Sequence, residues 1–113
     1  MSHPIYILST EEAYQQATAT GQFISDSLAS EGFIHASPAH QLNRVANLYY
    51  AHLPALWLLS IDPQKVQPEI RWEAASTGDL YPHLYGPLNM EAVSKVTRLT
   101  PNAQGQYHIQ PEI

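Results

Sequence analysis

Residues 55–62, ALWLLSID, constrain this chain more than any other stretch. The run is apolar almost without interruption and lacks the alternation of a half-solvated strand. It therefore predicts a strand buried on both faces, ended by Asp62-Pro63. With 113 residues, the chain has room for one core and one domain, taken as residues 1–113.

The other segments are arranged around that strand. PIYILS, at residues 4–9, reads as a strand. Ser9 followed by Glu12 has the form of a capping box and opens a helix from Thr10 to about Thr20, with Gly21 as its stop. Residues 22–31 read as an extended piece and a turn. GFIHAS, at residues 32–37, is a second strand. Ser37 is placed to cap the next helix, and Pro38 suits a first helical position. Leu42, Val45, Ala46, Tyr49 and Leu53 recur at helical spacing. EIRWE, at residues 69–73, alternates, with Ile70 and Trp72 facing one way and Glu69, Arg71 and Glu73 the other. Residues 75–89, rich in glycine and proline, read as a long ordered loop with a brief strand near His83 to Tyr85. A turn of helix at 89–92, a strand from Val93 to Leu99 and a terminal strand in GQYHIQ complete the chain. The sum is α+β: about six strands and two helices, with an antiparallel or mixed sheet.

Composition narrows the function. No stretch approaches the ~20 apolar residues of a membrane span, and the N-terminus lacks the pattern of a signal peptide. With no cysteine there is no disulfide framework, so a cytoplasmic address is expected. A net charge of -5, with only Arg44, Lys65, Arg71, Lys95 and Arg98 as cations, counts against nucleic-acid binding, which rests on phosphate neutralisation. A small nucleotide-like ligand needs few cations and stays open.

Chemistry has few footholds. His35 ends a strand just before the expected helix, where unsatisfied N–H groups favour an anion. It either grips a ribose hydroxyl or pyrophosphate there, or is satisfied by backbone at a sheet edge. His83 lies between Tyr81 and Tyr85, rings suited to stacking on a flat ligand, or else packs as a loop histidine. Trp72-Glu73 sets a carboxylate beside an indole, where desolvation raises its pKa or a ribose diol donates to it; otherwise Trp72 is core and Glu73 solvated. His35 and His40 are without an HExxH or an acidic cluster, so no metal is expected. There is no GxSxG, GxGxxG or GxxxxGK.

The order IYIL, EGFIHAS, VANLYY, LWLLSID, RWE and PHLYGPLN resembles the domain-of-unknown-function 952 family (DUF952), roughly from Ile5 to Leu99. The resemblance implies a fold like that of the ADP-ribosyltransferases, a bent, split β-sheet that clasps NAD in a cleft. It matches His35 to a strand-end histidine of the NAD grip, with Ser37 at the helix entry. It also matches Trp72 and Glu73 to a Trp-Glu pair, and His83, Tyr85 and Gly86 to a second block. On this reading His35, Glu73 and His83 are catalytic, and His35, Ser37, Trp72, Tyr81 and Tyr85 bind NAD. The implied reaction is attack on the nicotinamide glycosidic carbon. RNA 2′-phosphate transfer, the work of similar proteins, is disfavoured by the few cations. The alternative is a non-catalytic module that binds a metabolite or a protein.

Overall fold

The computed structural model describes residues 3–110. Strand β1 (Ile5–Ser9) is followed by helix α1 (Glu11–Thr20), strand β2 (Gln22–Phe23), helix α2 (Asp26–Glu31) and strand β3 (Ile34–His35). Helix α3 (Leu42–Tyr49), β4 (Leu56–Ile61), β5 (Glu69–Ala74), β6 (Leu80–Tyr85), β7 (Leu88–Asn89) and β8 (Val93–Leu99) follow. The molecule is thus α+β, and every strand pair is antiparallel. The described residues form three sheets, ordered β1-β4-β8, β3-β6-β5 and β2-β7.

The apolar run becomes β4, the centre of the first sheet, and it is buried as its composition requires. Leu59 and Ile61 face one core with Ile5, Ile7, Ile34 and Leu84. Leu56 and Leu58 face a second core with Tyr6, Leu42, Ala46, Tyr107 and Ile109. A two-sided strand needs two covering layers, and α3 with the C-terminal segment supplies the second. A bridge from Tyr6 to Ser37 joins the first sheet to the second: Ser37 N–H donates to Tyr6 O at 2.7 Å, and Tyr6 N–H to Ser37 O at 2.9 Å. Among the described residues no helix is long and apolar enough to cross a membrane.

Several expectations change. Thr10, not Ser9, caps α1: its hydroxyl accepts from Ala13 N–H, while the Ser9 hydroxyl donates to Thr10 O. Gly21, at φ 83°, ends the helix as expected. Residues 26–31 are helical rather than a turn, so the described residues hold three α-helices and not two; Gly32, at φ 91°, closes this one through bonds to Ser27 O and Leu28 O. Ser37 caps nothing, because its hydroxyl donates to Pro38 O and α3 begins only at Leu42, after a 3-10 turn at Ala39–Gln41. Leu53 lies beyond the end of α3.

The largest change is β6. The expected long loop with a brief strand near His83 to Tyr85 is a six-residue strand joined to β5 by a tight turn, and among the described residues eight strands stand where about six were expected. Pro82 is tolerated in this central strand because its carbonyl faces β3, accepting from Ala36 N–H at 3.1 Å. In an antiparallel ladder the N–H and C=O of one residue point to the same side. The missing donor therefore falls where β3 runs out, and no bond to β5 is lost.

GQYHIQ is not a strand. Its backbone is held by two side-chain amides one turn apart on α3. Asn47 accepts from Tyr107 N–H at 2.6 Å and donates to Tyr107 O at 2.9 Å; Asn43 does the same for Ile109, at 2.6 and 2.9 Å. Tyr107 also donates its hydroxyl to Leu53 O at 2.8 Å.

Candidate functional site

Register builds the site. On β3 and β6, His35 stands opposite His83; on β5 and β6, Arg71 stands opposite His83 and Glu73 opposite Tyr81. Alternation then sends His35, Tyr81, His83, Tyr85, Arg71 and Glu73 to one face of the sheet. Ile34, Leu84 and Ile70 take the other face and pack into the core. One sheet thus serves as a wall of the core and as a platform for ionisable groups.

The side chains on the platform touch. Phe33 stacks on the His83 ring at 4.1 Å between centroids, with 20° between planes. His35 meets His83 edge-on at 5.2 Å, and Phe33 at 4.9 Å. Glu73 Oε1 accepts from His83 Nδ1 at 2.7 Å and from the Tyr85 hydroxyl at 2.5 Å. A single carboxylate oxygen with two donors is best served when Glu73 is ionised and His83 carries its proton on Nδ1. In the neutral ring, Nε2 then keeps the lone pair. His35 Nε2 pairs with Glu31 Oε2 at 3.0 Å, four residues back at the end of α2.

Electrostatics agree with this geometry. The Tyr85 hydroxyl first, and His83 second, hold the Glu73 carboxyl below the usual carboxylate value. The same bond to Glu73, then burial and the carboxylate charge, push the Tyr85 hydroxyl above its usual value. Arg71 lies over the Tyr85 ring, 4.4 Å from its centroid, but its guanidinium is spent on Glu69, bound through Nε at 2.9 Å and Nη2 at 3.1 Å.

In front of the platform lies a cleft of about 650 Å³. His35, His83, Phe33 and Tyr81 form one side. Tyr6 and Leu8 of β1 line it from the first sheet, so the two sheets bend around one concavity. Helix α3 and the residues after it line the cleft through Arg44, Val45, Leu48, Tyr49 and Tyr50, and the β5–β6 turn adds Ala75, Ser76 and Thr77. A second recess of about 450 Å³ adjoins the first and shares Leu8, His35 and Tyr50 with it.

The structure places the expected site residues as follows. His35, Ser37, Tyr81 and His83 line the cleft. Ser37 is 4% exposed and contributes wall rather than a helix cap. Glu73 does not line the cleft but reaches it through His83, and Tyr85 stands behind both. Trp72 is separated from them: alternation puts it on the opposite face, half exposed, away from the cleft. Phe33, Arg44, Tyr49 and Tyr50 were not anticipated. The signals for them in the sequence were Phe33 two residues before His35, and Arg44 one turn ahead of Leu48 on a helix. No group of three or more His, Cys, Asp or Glu that could hold a metal occurs among the described residues.

Comparison with known proteins adds kinship without chemistry. The crystal structure of protein CC0527 from Caulobacter crescentus matches with a TM-score of 0.86 at 29% identity, over 93% of each chain. The crystal structure of its double mutant matches with a TM-score of 0.85, also at 29% identity and over 93% of each chain. The solution structure of CC0527 gives 0.79 at 30% identity, over 91% of this chain and 90% of that one. No protein of curated function matches. The family profile for proteins of unknown function designated DUF952 matches residues 8–96, and with most of its length inside that match this chain belongs to the DUF952 family.

Proposed function

We propose that this protein is ADP-ribosyltransferase-like and binds NAD or a related nucleotide in the cleft. One observation carries the reading: His35 and His83 stand edge-on at 5.2 Å on the side of a cleft of ligand size, with Glu73 holding the His83 ring from behind. The residues suit such a ligand. Tyr49, Tyr50 and Tyr81 offer rings for a base or a nicotinamide, and among the described residues His83 Nε2 and His35 Nδ1 make no hydrogen bond, which leaves them for ribose hydroxyls.

In the catalytic form of this reading NAD is substrate. The bond from ribose C1′ to the nicotinamide nitrogen breaks, and its electron pair neutralises the departing ring. An incoming hydroxyl oxygen bonds C1′ as its proton passes to His83 Nε2, and Glu73 steadies the resulting imidazolium. A non-catalytic reading has its own support: both carboxylates nearest the histidines are occupied, Glu73 by two donors and Glu31 by His35.

A titration with NAD followed by histidine and amide NMR signals tests binding, and release of nicotinamide from labelled NAD tests turnover. Release that disappears in His83→Ala supports the enzyme. Saturable shifts without release leave the binding module. No shift at millimolar NAD overturns both.

A further inference from the structure

Two arginines flank the platform, and they are used differently. Arg71 gives both Nε and Nη2 to Glu69. Arg44 spends only Nη1, on Asp79 Oδ2 at 3.0 Å, so the rest of its donor edge makes no hydrogen bond among the described residues. Arg44 is also the one Arg or Lys among the described residues lining the cleft. Asp79 comes from the β5–β6 turn, 35 positions along the chain, so the pair ties the cleft-lining Arg44 of α3 to that turn.

We propose that Arg44 is an anion-binding residue for the diphosphate of the ligand, and that Asp79 is its latch, filling the guanidinium until a phosphate displaces it. The diphosphate identity rests on the nucleotide reading above; the anion site itself does not.

The exchange is chemically reasonable. The pair is about half exposed, and such pairs are weak. A phosphate brings more charge than a carboxylate and matches the guanidinium fork bidentately. Asp79 does not lose all support on release, because the Thr77 hydroxyl donates to the same Oδ2 at 2.8 Å. The turn keeps its backbone bonds from Ala75 N–H to Asp79 O at 2.8 Å and from Gly78 N–H to Ala75 O at 2.9 Å. The latch therefore opens without unravelling the turn. Leu48 lies one helical turn beyond Arg44, about 6 Å along the axis, beside Tyr49 and Tyr50. That wall fits a ligand with a phosphate at one end and a flat apolar group next to it.

Inorganic pyrophosphate is the probe, followed by the Arg44 Nε–H signal and the amides of residues 75–79. The unaltered protein should show saturable shifts at both. Asp79→Asn, which removes the competing charge, should bind on the order of threefold more tightly. Arg44→Gln should bind at least about tenfold more weakly, while nicotinamide riboside, which has no phosphate, binds both variants alike. Absence of a pyrophosphate shift at Arg44, or unchanged affinity in Arg44→Gln, overturns the inference even if NAD binds. Pyrophosphate binding that depends on Arg44, with no response to NAD or the riboside, keeps the anion site and overturns the nucleotide reading alone.

Discussion

The β1-β4-β8 and β3-β6-β5 sheets are both three-stranded and antiparallel, yet only the first is covered on both faces. Its central strand reads LWLLSI and is closed in by one core on each side. The central strand of the second sheet reads LYPHLY: Pro82 and Leu84 go to the core, while Tyr81, His83 and Tyr85 go outward. Apolar packing on both faces and an exposed row of ionisable groups are thus divided between two sheets of the same size and strand direction. A sheet sealed on both sides has no place for an unpaired imidazole. A sheet sealed on one side can hold His83 at 13% side-chain exposure, with a carboxylate to fix it and the ring on the wall of a cleft.

The comparison breaks most visibly at the sealed sheet. Leu59→Ala, at a fully buried position, should cost about 2–5 kcal/mol, read as a fall in the denaturant midpoint. Tyr85→Phe, on the open face, should move that midpoint far less. Equal losses would mean that the open sheet carries as much of the fold as the closed one. Asn43→Ala comes next. It strips both side-chain bonds from Ile109 and loosens the segment that covers the outer face of the first sheet, so a loss of about 1–3 kcal/mol is expected. Faster hydrogen exchange at the Ile109 amide would locate the effect. Unchanged protection there would show that apolar packing of Tyr107 and Ile109, not the amide clamp, covers that sheet.

What the sequence made legible follows the same division. The buried strand at 56–61 was readable because a short run with apolar side chains on both faces of the strand is stable only when both faces are covered. MEAVSKVTRL is ambiguous between helix and strand by pattern alone, yet the expected helical turn and the strand from Val93 to Leu99 are both present. Strand β6 was hidden because Pro82, Gly78 and Gly86 are local breakers, and only the side to which Pro82 turns its missing N–H makes it harmless. Helix α2 was hidden by its length of six residues, although Asp26 in its first turn and Gly32 at its end were visible. In the candidate site, the residue types were readable and the connections were not. His35 and His83 are far apart in the chain, and only the β3–β6 register brings them together. Trp72 and Glu73 read as a pair because they are adjacent, but adjacency on a strand means opposite faces.

The far face of the open sheet gives a smaller test. Trp72→Ala should cost about 1 kcal/mol or less and leave the His83 ring signals in place, because the indole is half exposed and on the far side of β5. Shifted His83 signals would mean that the two faces of the open sheet communicate through the backbone.

Acid titration gives the smallest and most local effect, and its sign is fixed by the direction of the shift. Glu73 is held below the ordinary carboxylate value by Tyr85 first and His83 second. A carboxyl whose folded pKa is depressed contributes stability above its unfolded pKa, about 4.3, and loses it as the pH falls through the lower folded value. The bonds to Tyr85 and His83 should therefore persist through the pH at which a free glutamate titrates and fail only below it. The Glu73 side-chain carboxyl 13C signal should report a midpoint below that of free glutamate. In Tyr85→Phe, which removes the larger of the two holds, the midpoint should rise toward the ordinary value. Because the carboxylate is more than a third exposed, the global unfolding midpoint should barely follow. A midpoint unmoved by Tyr85→Phe would mean that solvent, not the Tyr85 hydroxyl, satisfies the carboxylate. The open face would then be an ordinary wet surface, and the fixed tautomer of His83 would lose its physical basis.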